Sequence, residues 1–178
     1  MPFADVNGKQ LYYTLRSADS RHHKSGLSIL LVHGLGSSSS FYGPVIPHLA
    51  AAGFTCLAVD THGMFLSKQF LYWSQTAASL ATDSGAGSCL SKYNGQKQTV
   101  KTIAQDALAL LSSLSILPDS VIAVGHSMGG LIVSELALQA ELAGVVLVGP
   151  VAANPLAATA FSKRIETVQK GETSLGDK

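Results

Sequence analysis

The chain has 178 residues, 47% of them hydrophobic, and a formal net charge of +1 at pH 7. This length fits one domain, and the near-neutral charge gives no sign of a nucleic-acid or acidic-membrane partner. No apolar run is long enough to span a bilayer and no basic-then-apolar leader opens the chain, so we expect a cytoplasmic protein with no membrane partner.

In chain order, the first predicted element is a hairpin over residues 3–14, because β-prone residues flank an Asn7-Gly8 turn. Short apolar runs then alternate with helical patterns. The runs predict strands at 27–32, 54–59, 121–124 and 144–148, and the helical patterns predict helices at 39–52, 99–114, 128–139 and 156–170. This alternation predicts an α/β fold with a mostly parallel sheet and helices on both faces.

The segment Gly125-His126-Ser127-Met128-Gly129 lies between a predicted strand and a predicted helix. It matches the G-x-S-x-G turn that presents a nucleophilic serine. A sharp turn from strand to helix strains the backbone of the serine, and small neighbours avoid clashes around it. The alternative is a glycine-rich turn with an incidental serine. The strand-turn-helix context favours Ser127 as a nucleophile, close to a helix N-terminus that stabilises developing negative charge.

A second motif, His33-Gly34-Leu35-Gly36, directly follows the predicted strand at 27–32. Its glycines would let the backbone approach a ligand closely, although the motif alone also fits a plain turn. Placed before a G-x-S-x-G turn, it resembles the loop of α/β-hydrolases that gives one backbone N–H to the oxyanion hole. The resemblance assigns that N–H to Leu35 and the second one to Met128, with His33, Gly34 and Gly36 supporting the loop.

A third motif, Asp60-Thr61-His62-Gly63, follows the strand at 54–59. It resembles the family pattern D-x-R-G-x-G-x-S, with His62 in place of arginine, and then departs from it. Joining Gly63 to Ser88 restores the spacing of the pattern, which marks residues 64–87 as an atypical insertion that is long for a connecting loop. One interpretation is a lid with aromatic residues along a substrate pocket. The other is translated non-coding sequence, which we favour because no helical or strand pattern supports a lid.

With these motifs in order, the chain resembles the α/β-hydrolase superfamily, in its branch of serine esterases, lactonases and haloperoxidase-like enzymes. The resemblance implies one partial domain over residues 1–178, in which 152–178 begin a cap or form a tail. It implies a small ester or lactone as substrate and no metal or organic cofactor. The serine in the turn argues against epoxide hydrolases and haloalkane dehalogenases, which use an aspartate. The residues assigned to the supporting loops are Asp60, His62, Gly125, His126 and Gly129, besides those of the second motif.

The resemblance does not identify the acid and the base of the catalytic triad in this chain. In this superfamily the acid and the base follow the serine along the chain. All six histidines of this chain precede Ser127, and one clear strand, 144–148, follows it. We therefore expect the last strands and helices of the fold to be lacking, the activity to be impaired, and the exposed edge of that strand to allow self-association. The alternative is a non-catalytic binding or scaffold protein with the same fold.

Overall fold

The computed structural model describes residues 3–19, 26–61, 90–91, 98–151, 159 and 162–163, and these residues form one sheet with helices against it. The strands are β1 (Phe3–Val6), β2 (Lys9–Arg16), β3 (Ser28–Val32), β4 (Thr55–Val59), β5 (Val121–His126) and β6 (Gly144–Val148). The helices are α1 (Ile46–Ala51), α2 (Val100–Ser113) and α3 (Met128–Gln139), with short 3-10 turns at Ser39–Tyr42 and Pro118–Ser120. The insertion at 64–87 and almost all of the helix predicted at 156–170 lie outside the described residues.

The six strands lie in the order β1-β2-β4-β3-β5-β6. β1 and β2 form the antiparallel hairpin predicted around Asn7 and Gly8, which both have positive φ angles, 51° and 72°. β2 is antiparallel to β4, whereas β4, β3, β5 and β6 run parallel to one another. The expected mostly parallel α/β sheet is confirmed. In such a sheet the carboxyl ends of the parallel strands share one edge, where functional loops gather.

Each face of the sheet carries its own cluster of buried side chains, because successive residues of a strand point to opposite faces. Leu30, Leu57 and Ala123 belong to the cluster that packs against α2 and α3. Ile29 and Cys56 belong to a smaller cluster that packs against α1. Helices therefore cover both faces, as the alternating pattern predicts. Within the described part of the chain, no helix is long and apolar enough to cross a membrane.

The single helix predicted at 39–52 is wrong, because the structure divides it into a 3-10 turn and α1. Pro44 separates the two pieces, since it has no N–H to donate and restricts the residue before it. The N–H of Val45 donates to the Tyr42 carbonyl at 2.9 Å, a three-residue step typical of a tighter turn. The predicted end at Gly53 agrees with the structure, in which this glycine has a φ of 98°.

A buried ion pair attaches the hairpin to α2. The ammonium of Lys9 lies 2.7 Å from Asp106 Oδ2, and the two side chains are only 5% and 3% exposed. Lys9 also donates to Gln98 Oε1 at 3.2 Å, and the Asn7 amide donates to Asp106 Oδ1 at 3.0 Å. Both charges therefore have partners, which is the condition under which a buried ion pair is tolerated.

Replacing Asp106 by alanine is expected to lower the free energy of unfolding by about 3–5 kcal/mol, because the ammonium of Lys9 stays buried without its counter-ion. Urea-induced unfolding at constant pH measures the change. The control is Asp19→Ala, which removes an exposed pair with Arg16 at 3.8 Å and should change stability by less than about 1 kcal/mol. Equal effects of the two substitutions would contradict the role given to the buried pair.

Candidate active site

β5 and α3 meet at Ser127, whose backbone is strained. Its φ is 53° and its ψ is −118°, a combination that residues other than glycine rarely adopt. The N–H of Ser127 donates to the Val148 carbonyl of β6 at 2.9 Å, and its own carbonyl accepts from the N–H of Gly130 at 2.9 Å. The turn is thus fixed to the neighbouring strand on one side and to the first turn of α3 on the other.

Two glycines make this turn sterically possible. A methyl group on Gly125 would lie 2.2 Å from the carbonyl oxygen of Gly129. A methyl group on Gly129 would lie 2.2 Å from the carbonyl oxygen of Val32, at the end of β3. Both distances are far inside van der Waals contact, so any side chain at either position would push α3 away from the sheet.

Gly129→Ala is therefore expected to lower the free energy of unfolding by about 3 kcal/mol, the upper range for forcing an extra methyl group into a packed interior. The matched control is Gly144→Ala, since a methyl group there would meet only Ile122 side-chain carbons, at 3.9 Å. That variant should stay within about 0.5 kcal/mol of the parent. Thermal or urea unfolding distinguishes them, and a Gly129→Ala variant as stable as the control would refute the packing argument.

The loop that follows β3 packs directly against Ser127. A methyl group on Gly34 would lie 3.1 Å from Ser127 Cβ and 3.2 Å from His126 Nδ1, so the backbone at Gly34 touches the turn. Leu35 comes next and is half exposed, and Gly36 turns the chain with a φ of 72°. The structure thus brings the second motif of the sequence against the first, although almost a hundred residues separate them.

His33 is fully buried and connects two loops. Its Nδ1–H donates to the Gly34 carbonyl at 2.8 Å, and its Nε2 accepts the N–H of Thr61 at 3.2 Å. These partners define a neutral imidazole with the proton on Nδ1. Burial lowers the pKa of His33, and this outweighs the Gly34 carbonyl and the charge of Asp60, which both raise it. His33 therefore braces the loops after β3 and β4.

Asp60, which is 1% exposed, gathers three segments of the chain. Its Oδ1 accepts the N–H of Ser39 at 2.6 Å, and its Oδ2 accepts the N–H of Leu90 at 2.5 Å. The hydroxyl of Ser91 donates to the backbone carbonyl of Asp60 at 2.7 Å. The chain after the insertion thus returns to the residue at which the third motif begins. Sequence analysis did not identify Ser39 as part of this arrangement.

Deleting residues 64–87 is expected to preserve the fold, because Asp60 already holds together the segments on both sides of the insertion. Closing a loop with fewer residues should raise the free energy of unfolding by at most about 1.8 kcal/mol, the entropy of roughly two to three halvings in loop length. Far-UV circular dichroism and urea unfolding of the shortened chain test this. Loss of cooperative unfolding on deletion would show that the insertion contributes to the core.

Two aromatic residues that sequence analysis missed support the turn from the α1 face. The ring of Phe41 stacks on His126, with centroids 4.9 Å apart and an interplanar angle of 21°. The hydroxyl of Tyr42 donates to the Val32 carbonyl at 2.8 Å, and burial raises the pKa of Tyr42 to about 12. His126 Nδ1 is buried and has no hydrogen-bond partner among the described residues. No local motif indicates these contacts, because they depend on how the 3-10 turn packs.

The structure brings most of the predicted site residues together, and one of them lies outside the described residues. Ser127, its glycine neighbours and the loop after β3 lie together at the carboxyl edge of the sheet, and Asp60 holds the adjoining loop. Met128 is the first residue of α3, and Leu35 follows Gly34. His62 lies outside the described residues. The part of the chain that the structure describes contains no group of three or more side chains suited to hold a metal ion.

The sequence matches the model of the alpha/beta hydrolase family over residues 29–174, and the chain belongs to that family. No curated protein matches it. Several solved structures share its fold. An esterase from Thermogutta terrifontis superposes with a TM-score of 0.66 at 18% identity, covering 96% of this chain and 51% of the esterase.

Two further structures show the range of proteins with this fold. Est816, described as an N-acyl homoserine lactone degrading enzyme, has a TM-score of 0.64 at 17% identity, covering 96% of this chain and 55% of its own. The epoxide hydrolase CorEH has a TM-score of 0.62 at 20% identity, and the match covers 90% of this chain and 48% of CorEH. The chain spans about half the length of these structures. At such identities the likeness establishes the fold.

Proposed function

We propose that this chain carries the nucleophile of a serine hydrolase site for carboxylic esters or lactones, and that Ser127 is this nucleophile. The strained backbone of Ser127 is the observation that most supports the proposal. A glycine would adopt a φ of 53° without strain. A serine at this position is best explained by a need for its hydroxyl, because strained residues that the packing holds in place are concentrated at functional sites.

In the proposed reaction, Ser127 Oγ attacks the carbonyl carbon of the substrate. The N–H groups of Met128 and Leu35 would stabilise the negative charge that develops on the carbonyl oxygen. Met128 opens α3, where the N–H groups have no partner within the helix and the helix dipole favours an anion. Leu35 belongs to the loop that packs on Ser127 through Gly34. Losing one such donor lowers kcat by about 100- to 1,000-fold in serine hydrolases.

The chemistry of the nucleophile, rather than the fold, selects the substrate class. An esterase, a lactone-degrading enzyme and an epoxide hydrolase share this fold, so the fold permits several reactions. A serine hydroxyl attacks an acyl carbon, releases the alcohol and leaves an acyl-enzyme ester that water then hydrolyses. Esters and lactones both supply such an acyl carbon.

A general base must lie within hydrogen-bonding reach of the serine hydroxyl. His33 does not fit this role, because both of its ring nitrogens are occupied. The ring of His126 stacks on Phe41 on the α1 side of β5. No histidine follows Ser127 in the 178 residues. We therefore propose that the 178-residue chain by itself hydrolyses esters slowly. Its rate would be the residual rate that substrate binding and the oxyanion hole support without a general base.

Labelling with a fluorophosphonate probe tests both parts of this proposal. The chain is expected to react slowly and at Ser127, as mapped by mass spectrometry, and free imidazole should accelerate labelling because it supplies the missing base. Hydrolysis of p-nitrophenyl esters should be on the order of 10⁴-fold or more below that of a complete triad. Ser127→Ala should abolish labelling and imidazole-dependent hydrolysis.

The matched control is Ser134→Ala, which removes a serine of α3 that donates to the Gly130 carbonyl at 2.8 Å. This variant should react like the parent. If the chain hydrolysed esters rapidly without imidazole, and this activity required Ser127, the chain would contain a general base and this part of the proposal would be wrong. Failure to label Ser127 even with imidazole would disprove the nucleophile and leave a non-catalytic binding protein with this fold.

A further inference from the structure

The 3-10 turn at Ser39–Tyr42 is attached to the carboxyl ends of two neighbouring strands by hydrogen bonds. The N–H of Ser39 donates to Oδ1 of Asp60, the residue that directly follows β4, at 2.6 Å. The hydroxyl of Tyr42 donates to the carbonyl of Val32, the last residue of β3, at 2.8 Å. The oxyanion loop that the sequence predicts begins immediately after this carbonyl. Tyr42 therefore fixes the backbone at the point where the loop leaves the sheet.

The same turn also reaches β5, on the other side of β3. The ring of Phe41 stacks on that of His126, the last residue of β5, with centroids 4.9 Å apart. Burial raises the pKa of Tyr42 to about 12, and this outweighs the backbone N–H of His126, which lowers it. The phenol therefore keeps its proton near neutral pH and donates it to the Val32 carbonyl. Since β3 lies between β4 and β5, Tyr42 bonds to the middle of the three strands.

We propose that Tyr42 is a positioning residue for the reaction at Ser127, and that its hydroxyl holds the end of β3 where the oxyanion loop requires it. This role rests on the proposed function, in which the N–H groups of Leu35 and Met128 stabilise the oxyanion. Val32 lies three positions before Leu35, so a change in the direction of its carbonyl would displace that N–H. Tyr42 is only 6% exposed, and it acts through the backbone of β3.

The Val32 carbonyl is confined from two sides, which makes it sensitive to the loss of the hydroxyl. On one side, Gly129 packs so closely that a methyl group there would lie 2.2 Å from the carbonyl oxygen. On the other side, Tyr42 donates its hydrogen bond. A buried acceptor that loses a donor is destabilised, so we expect the carbonyl to turn towards another donor. Because Gly129 blocks one direction, the end of β3 would shift away from α3.

Such a shift would reach the nucleophile through the loop after β3. The backbone at Gly34 is in contact with the turn, since a methyl group on Gly34 would lie 3.1 Å from Ser127 Cβ. A misplacement of about 1 Å in a reacting or stabilising group lowers a rate by about 100-fold. The oxyanion exists only in the transition state and the intermediate that follows. A displaced donor should therefore lower kcat and leave KM unchanged.

Tyr42→Phe tests this role, because it keeps the ring and removes only the hydroxyl. The reaction is the imidazole-dependent release of p-nitrophenolate from p-nitrophenyl acetate. In this step Ser127 Oγ bonds to the acyl carbon, its proton passes to imidazole, and p-nitrophenolate leaves. We expect kcat to fall by about 10- to 100-fold while KM stays within about twofold of the parent. Fluorophosphonate labelling of Ser127 should slow to a similar extent.

Two further variants separate positioning from a general loss of packing. Replacing Tyr42 by p-aminophenylalanine keeps the ring and a donor at its tip, so it should restore most of the rate. Ile29→Val serves as the control, because Ile29 belongs to the same buried cluster as Tyr42 but lies near the other end of β3. It removes one buried methylene and should lower the midpoint of urea unfolding. Its reaction with the ester should equal that of the parent.

Several results would overturn the role of Tyr42. They are a Tyr42→Phe variant that reacts as fast as the parent, an effect on KM alone, equal slowing by Ile29→Val, and no recovery with p-aminophenylalanine. Loss of cooperative unfolding in Tyr42→Phe would also overturn it, because the hydroxyl would then support the whole fold. A parent chain that fails to label at Ser127 even with imidazole would instead contradict the proposed function, on which this role depends.

Discussion

The close approach of α3 to the end of β3 is the contact on which the site depends. Gly129 packs so tightly against the Val32 carbonyl that no side chain fits between them. On the opposite face, the Tyr42 hydroxyl donates to the same carbonyl. With α3 held at this distance, the chain must turn from strand to helix within one residue, and Ser127 takes the positive φ angle. The packing of Gly129 against the Val32 carbonyl thus sets the position of Ser127, the residue that we propose to be reactive.

Buried polar side chains place the loops around this turn. Asp60 accepts N–H groups from loops on either side of it, and His33 uses both ring nitrogens to join the loops after β3 and β4. A buried polar group without partners is destabilising, so a set of such groups defines one arrangement of the loops. The two hydrogen bonds of His33 also bear on the chemistry of the site. A histidine that is neutral and engaged on both sides serves structure, and another group would have to accept the proton of Ser127.

β6 connects the site with the surface of the described sheet. Its Val148 carbonyl accepts the N–H of Ser127, and its side chains from Val145 to Val148 are partly exposed. β6 therefore anchors the turn at Ser127 through one backbone hydrogen bond.

The amino-acid sequence by itself determined the fold class, the hairpin at Asn7-Gly8 and the strand-turn-helix around Ser127, because apolar periodicity and turn chemistry are local signals. It also indicated that the loop after β3 belongs beside that turn, through a family resemblance. Only the tertiary structure decided which distant groups meet. Lys9 and Asp106 are 97 positions apart, and the stacking of Phe41 on His126 depends on a turn that was predicted as helix. Such contacts arise when whole elements pack, so no local pattern records them.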